Sequence, residues 1–423
     1  MSTEFPAWRR HLSLALLGLV AVVSYIDRQA ITVLQEDIKA EFALSDTMVG
    51  LISGLYFALI YGIAALPIAR YADRGDRATL IGGCLAFWSL ATATCGLVTS
   101  AGQLAGARMT MAVGEAGAGP ASLALLTSIY SERRRGLVIG YYQAANSVGL
   151  SLGVILAAWL ASFLEWRSVF LALGLPGILL GLIVALVVTE PRRRGGASAV
   201  QQPMPLKDVV RAVASAPALR WVALLIVIVP MAGFGFLMWG SSFLARVHGF
   251  ENAQLAGLGF AILAGLVTGN LAAGWVSDRF GHSSPAFKGA FAAVGLLAGI
   301  PFALAFALSP DPQIVLVCFA ALTFFITLYM PPIISLCCEI VPTAMRATII
   351  AMIGLITIVA GQGFGTLLIG MLNDAYTPAF GDDAVRYSLV TISGNLLIGA
   401  IAAYMAGQTA ARSTRPSLVA ANA

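Results

Sequence analysis

Twelve apolar stretches, each close to the length a helix needs to cross a bilayer, recur along the chain near residues 12–35, 47–70, 79–99, 104–128, 137–162, 168–189, 219–245, 255–277, 286–308, 313–337, 345–372 and 387–407. About 20 residues of helix span the ~30 Å hydrocarbon layer. The polar alternation of a transmembrane strand is absent, so a bundle of helices is the spanning solution that satisfies every backbone N–H and C=O without water. Only 11% of the 423 residues are charged and 59% are hydrophobic, against about 25% charged in a soluble domain. The predicted fold is all-α and integral to the membrane, with twelve transmembrane helices.

Orientation follows from the bases. Nineteen Lys and Arg fall on the side of the N-terminus, four on the other side (Lys39, Arg167, Arg246, Arg386) and two inside helices (Arg28, Arg108). By the positive-inside rule both termini are expected to be cytoplasmic. The same asymmetry accounts for the net charge of +5 without nucleic acid as a partner. Arg outnumbers Lys 22 to 3, which suggests a GC-rich bacterial genome and hence a bacterial inner membrane. No cleavable signal peptide is expected, because the first run is too long and no small-residue cleavage site follows it.

The longest polar segment, residues 190–218, divides the chain into an N-terminal six-helix bundle (1–189) and a C-terminal one (219–423) with a short cytoplasmic tail. The halves repeat. "RYADRGDRA" matches "GWVSDRFGH" with Asp73 and Asp278 in register 205 residues apart, Arg135 matches Arg346, and "GLSLG" (Gly149 to Gly153) matches "GQGFG" (Gly361 to Gly365) 212 residues apart. A parallel repeat of six helices predicts two pseudo-symmetric bundles with a substrate site near the midplane.

These features resemble the major facilitator superfamily over essentially the whole chain. Three segments further resemble the Spinster family of sphingolipid and lysophospholipid transporters: "SYIDRQAI", "RMTMAVGEAGAG" and "CCEIVPTAMRATIIAM". There are departures. Asp76 and Ala78 stand where the loop pattern expects Gly and a base, Ala69 replaces its leading Gly, and Val154 follows Gly153 where proton-driven drug antiporters usually carry Pro. The resemblance implies alternating access and lipid-like cargo.

Of 45 charged residues, four lie well inside the hydrocarbon: Asp27 and Arg28 in the first run, Arg108 and Glu115 in the fourth. Each costs about 2.5 to 3.5 kcal/mol at a helix centre, which makes it a functional candidate. Arg108 and Glu115, seven apart, share a helix face about 10 Å apart along the axis, and Asp27 is expected near their depth. Arg28, turned about 100° from Asp27, is expected to contact another helix or to snorkel outward. The structural alternative for Asp27, Arg108 and Glu115 is an ion-paired latch between two helices. The functional reading is proton coupling: burial raises a carboxylate's pKa and a nearby Arg lowers it, so an acid that moves relative to Arg108 exchanges a proton. Glu115 is the expected carrier, Asp27 the link to movement of the first helix, and Arg108 the shared counter-charge.

A second group is expected to form a cytoplasmic gate. An acid at the end of the second helix is favoured at a helix N-terminus such as the one opened by "PTAMR". Asp73 and Asp278 are the expected acids, with Arg74, Arg77, Arg135, Arg279, Glu339 and Arg346 as partners. The substrate cavity is expected to combine Arg108 and Glu115 with an aromatic wall of Phe234, Trp239, Phe325 and Tyr329, which favours an amphiphile with a charged or zwitterionic head and an acyl-like chain.

Other chemistry finds no support. Five Cys lack metal-like spacing and three His lie scattered at helix ends, so no metal is expected. No phosphate-binding loop occurs, which leaves the proton gradient as energy source and no cofactor. A membrane-embedded hydrolase would need a nucleophile paired with a base, and a channel would not need paired closing loops. The prediction is a non-enzymatic, monomeric secondary transporter of a small amphiphile, with a proton-coupled organic anion or drug transporter as the alternative.

Overall fold

The computed structural model describes residues 6–188, 190, 211, 213–280 and 284–414, with side chains throughout except at Asp73, Arg74, Glu132, Arg133, Ser277, Asp278, Phe280, Thr343, Ala344, Ala347, Ser413 and Thr414. Most of the expected 190–218 linker lies outside the described residues. Among the described residues the chain forms twelve long helices and no strand. They are α1 (Ala7–Phe42), α2 (Asp46–Gly50, a π-helical turn Leu51–Leu55, then Tyr56–Arg74), α3 (Arg77–Cys95), α4 (Ala101–Ile129), α5 (Glu132–Ala161) and α6 (Trp166–Val187). After the linker come α7 (Pro217–His248), α8 (Ala256–Phe280), α9 (Pro285–Leu308), α10 (Pro312–Thr327 and Met330–Ile340), α11 (Thr343–Thr357, a π-helical stretch Ile358–Gly365, then Thr366–Phe380) and α12 (Ala384–Thr414).

Among the described residues, ten stretches are long and apolar enough to cross a membrane. The tenth, Thr348–Arg412, takes in most of both α11 and α12, and α4 is a 29-residue helix made less apolar by its two charges. Helix starts follow capping chemistry: Asp76, Ser100, Ser284 and Asp311 each accept a backbone N–H two or three residues on, satisfying donors the first turn leaves open.

The helices divide into two compact units, one of residues 1–201 with 249–260 and the other of 202–248 with 261–423. In the first, Leu17, Phe57, Trp88, Met111 and Val184 are buried in one apolar core. In the second, Phe306 is the hub of an aromatic core, with ring centroids 5.8 Å from Phe236, 4.8 Å from Phe243 and 4.8 Å from Phe319.

The repeat reappears as packing. A Cβ on Gly153 of α5 would stand 2.8 Å from Gln29 Cβ and 3.0 Å from Ile26 Cα of α1, and one on Gly365 of α11 would stand 2.4 Å from the Met231 carbonyl of α7. Small residues therefore set the same helix pair at contact distance in both units. The far-side bases are all engaged at helix ends. Arg167 pairs with Glu41 and donates to the Val98 carbonyl at 3.0 Å; Arg386 donates to Asp383 at 3.0 Å and to the Ala307 carbonyl at 3.1 Å. Arg386 thus caps one of the last carbonyls of α9, where a cation is favoured, while Arg167 binds a carbonyl of the turn that follows α3. Lys39 pairs with Asp46, and the Arg246 guanidinium lies 5.9 Å from the Trp239 ring.

Candidate functional site

Asp27, Arg28, Arg108 and Glu115 are all brought into the interior of the first unit, with relative exposures of 0, 5, 0 and 3%. The partners differ from those expected. Glu115 is bound by Arg28, whose Nε donates to Oε2 at 3.0 Å and whose Nη2 forms an ion pair with the same oxygen. Ser24, one helical turn before Arg28, donates its hydroxyl to Oε2 at 3.1 Å. Asp27 accepts instead from the Trp88 indole of α3, Nε1 to Oδ2 at 3.1 Å.

Arg108, expected as the shared counter-charge, touches neither acid by hydrogen bond; its Nη1 reaches Met111 Sδ at 3.3 Å. The reason is geometric. Seven residues on one helix leave Arg108 and Glu115 about 10 Å apart along the axis, whereas the Ser24/Arg28 face of α1 lies directly against Glu115. Of the two expectations for Arg28, the structure shows contact with another helix rather than snorkelling, and that contact is the central ion pair.

Aromatic rings replace water around the two cations. The Arg28 Cζ lies 5.0 Å from the Tyr25 ring, 4.9 Å from Phe57 and 5.6 Å from Tyr61, and the Arg108 Cζ lies 5.3 Å from the same Phe57. One fully buried ring therefore serves both guanidiniums, and desolvated contacts of this kind stabilise a cation by about 2 kcal/mol. The π-helical turn at Leu51–Leu55 inserts an extra residue just before Phe57, a device that re-aims the residues beyond it.

The site also holds unused capacity. Among the described residues, Asp27 Oδ1, Glu115 Oε1, and Arg108 Nε and Nη2 are buried without a hydrogen-bond partner. Such atoms each cost about 1 to 3 kcal/mol. Two acceptors and two donors left open in one unit can satisfy one another, or a ligand, after a rearrangement. Charge bookkeeping allows this, since two acids and two bases sum to zero.

The expected aromatic wall divides. Phe234 and Phe325 are half-buried, and Phe325 stacks on Phe302 with centroids 5.4 Å apart. Trp239 is fully buried, its indole donating to the Thr366 carbonyl at 3.0 Å, and Tyr329 is 4% exposed. Both are set in the packing of the second unit, because a large ring on the inward stripe of a helix with neighbours on every side has no surface left.

Of the expected gate, the side chains of Asp73, Arg74 and Asp278 lie outside the described residues. Arg279 and Arg346 are exposed, and Arg135 donates Nε to the Thr127 carbonyl at 3.2 Å. Arg77 is not a loop base: it is 3% exposed and binds Glu190 at 2.7 Å, the Ala124 carbonyl at 3.1 Å and Ser128 at 3.1 Å. Glu339 pairs with Lys288, which also donates to Ser335 at 3.0 Å. The two bases are repeat mates 211 residues apart, and Ser128 and Glu339 keep that offset. Each unit thus fastens its third helix to its fourth by one buried cation.

Sequence reasoning did not identify Ser24, Tyr25, Phe57, Tyr61, Trp88, Glu190 or Lys288 as site or clamp residues. For Lys288 and Glu339 the signal was present, since the 211-residue offset that pairs Arg135 with Arg346 also pairs Arg77 with Lys288. Nothing in the sequence marks Trp88 or Phe57 among the other apolar residues.

Residues 17–366 match the Major Facilitator Superfamily. The chain is 30% identical over 410 residues to an MFS-type efflux pump of Mycolicibacterium smegmatis, covering 94% of this chain and 92% of that protein. It is 26% identical over 321 residues to protein spinster homolog 1 of Homo sapiens, covering 71% and 60%. Its structure superimposes on a bacterial homolog of the human lysosomal transporter Spinster, in an inward-facing and unoccupied conformation, with a TM-score of 0.86 at 27% identity over 96% of this chain and 98% of that one.

Proposed function

We propose that this chain, which belongs to the Major Facilitator Superfamily, couples proton movement to transport of an amphiphile with a charged head and an acyl-like chain. As a member of that superfamily it is an integral membrane transporter of a small substrate and not an enzyme. Alternating access driven by the proton gradient, a bacterial inner membrane, cytoplasmic termini and a monomeric chain complete the reading.

The observation that carries the coupling is the buried Arg28–Glu115 pair beside an unengaged Arg108. Protonation of Glu115 would cancel its attraction for Arg28 and free α1 to shift on α4. Reionised, Glu115 has two cations to choose between, and the choice distinguishes two arrangements of α1. Asp27, held by Trp88 on another face of α1, would tie a second protonation to the same helix. The open donors of Arg108 suit an anionic head group, and the half-buried Phe234 and Phe325 retain surface available to an apolar chain.

The test is uptake or efflux in proteoliposomes under an imposed pH gradient. Glu115→Gln should abolish gradient-driven transport while leaving exchange at equal pH, because the amide keeps the shape but carries no exchangeable charge. Undiminished gradient-driven flux in that variant would sink the coupling role. Kinship to an efflux pump favours the second reading, an organic anion or drug as cargo. Equal affinity for short- and long-chain ligands with one head group would select it.

A further inference from the structure

Between residues 137 and 162, α5 crosses the bilayer without a charged residue, yet it carries two carboxamides, Gln143 and Asn146. Three residues apart, they share a face of the helix; Gln143 is exposed and Asn146 half-buried. An amide facing hydrocarbon without a hydrogen-bond partner costs about 4 to 8 kcal/mol. This face of α5 is therefore turned to water or to a ligand rather than to acyl chains. It is also open on the approach from the N-terminal side, because a Cβ on Gly136 or Gly140 would meet nothing within 4 Å.

The two amides orient each other. Asn146 Nδ2 donates to Gln143 Oε1 at 3.0 Å, while the hydroxyls of Ser147 and Ser151 are spent on the carbonyls of Gln143 and Ser147, at 3.3 and 3.2 Å. What the pair still offers is the Gln143 amide nitrogen, a donor, and the Asn146 amide oxygen, an acceptor. A hydroxyl uses both, accepting from the first and donating to the second. A phosphate oxygen can only accept, and an ammonium can only donate. Packing does not call for these amides: at the 212-residue offset of the repeat, Gln143, Asn146 and Ser147 correspond to Leu355, Ile358 and Val359 of α11.

We propose that Gln143 and Asn146 recognise uncharged hydroxyls on the cargo's head group, which makes the cargo an anion that also carries hydroxyls, as a glycerol or other polyol head does. The inference rests on the anionic head read above from Arg108. Gly149 and Gly153 of α5 lie against Val22, Tyr25, Ile26 and Gln29 of α1, a stretch that includes Ser24, which binds Glu115. Asn146 and Gln143 stand three and six residues before Gly149, about 5 and 9 Å toward the N-terminal side. Arg108 lies about 10 Å beyond Glu115 in the other direction. The two stations are thus about 15 Å or more apart, on either side of the Arg28–Glu115 pair, and a compact head group meets them one at a time.

Lysophosphatidylglycerol and lysophosphatidylpropanol of one chain length share the phosphate and differ by two head-group hydroxyls. Their affinities for the full-length protein in maltoside detergent are to be compared by thermal shift over a concentration series. The wild type should bind the first about five- to tenfold more tightly, the span of one or two net hydrogen bonds. Gln143→Leu with Asn146→Ile installs the residues that α11 carries at those positions and should bring the two affinities within about twofold of each other. Gln143→Leu alone, at an exposed position, should lower the preference at least about twofold and serves if the double variant does not fold. A preference that survives these changes, or a wild type that does not distinguish the two lipids, overturns the assignment. If the wild type binds neither lipid, the amphiphile reading fails, and gluconate against hexanoate, short carboxylates with and without hydroxyls, puts the same question. Gluconate preferred by the wild type but not by the variant supports the amides; hexanoate bound as well as gluconate overturns them.

Discussion

Arg28 of α1 donates two N–H groups to a single oxygen of Glu115, 87 residues later on α4, while the other oxygen of that carboxylate is buried without a partner. A base and an acid in this relation hold two helices together only while the acid is ionised.

Stability should therefore depend more on Arg28 than on Arg108. Arg28→Ala leaves Glu115 buried without its cation, a loss of about 3 to 5 kcal/mol for a broken interior pair. Arg108→Ala removes a guanidinium that no carboxylate engages and should cost less. Thermal unfolding of the two detergent-solubilised variants at neutral pH checks the order, and equal midpoints would contradict it.

Trp88 and Asp27 should behave as one unit. Trp88→Phe keeps a ring but removes the indole N–H, leaving both Asp27 oxygens without a donor and costing about 1 to 3 kcal/mol. In an Asp27→Leu background the same change should cost far less. The coupling energy of this double-mutant cycle reads the interaction directly; additive effects would mean that the bond is not formed in the membrane.

The two clamps between third and fourth helices should differ in strength. Arg77→Ala takes the guanidinium from Glu190, whose side chain is fully buried and keeps the backbone N–H of residue 77, whereas Lys288→Ala releases Glu339, whose side chain is 46% exposed and can hydrate. The first should cost about 3 to 5 kcal/mol and the second about 1 kcal/mol or less. Proteolytic susceptibility or unfolding midpoints distinguish them, and a larger loss for Lys288→Ala would reverse the argument.

Phe325 and Trp239 should separate binding from packing. Trp239→Ala empties a fully buried site, and loss of such a ring costs about 3 to 5 kcal/mol of stability. Phe325→Ala, at a half-buried ring, should instead weaken long-chain ligands more than short-chain analogues with the same head group. Ligand-induced thermal shifts on both variants provide the comparison. Equal loss for long and short chains in Phe325→Ala would favour the small-anion reading.

The helical fold was legible in the sequence because the bilayer reduces the problem to one rule: every backbone polar group must be satisfied within its own segment, and only long apolar helices do that. The repeat was legible for a related reason. Gly149 and Gly361, or Gly153 and Gly365, keep their offsets because each half must repeat the same close contacts. The four interior charges were legible because a charge inside hydrocarbon is conspicuous wherever it falls.

Their partnerships were not legible. Helix periodicity places residues of one helix relative to each other, so it grouped Arg108 with Glu115. It says nothing of how α1 rotates and slides against α4, and that choice put Ser24 and Arg28, not Arg108, against the carboxylate. The extra residue in the α2 π-turn and the burial of Trp239 behind α11 are likewise consequences of packing. Sequence determined which residues must be buried and charged; only the tertiary structure decided which atoms meet, because a displacement of one turn between two helices, ~5.4 Å, is enough to exchange one hydrogen-bond partner for another.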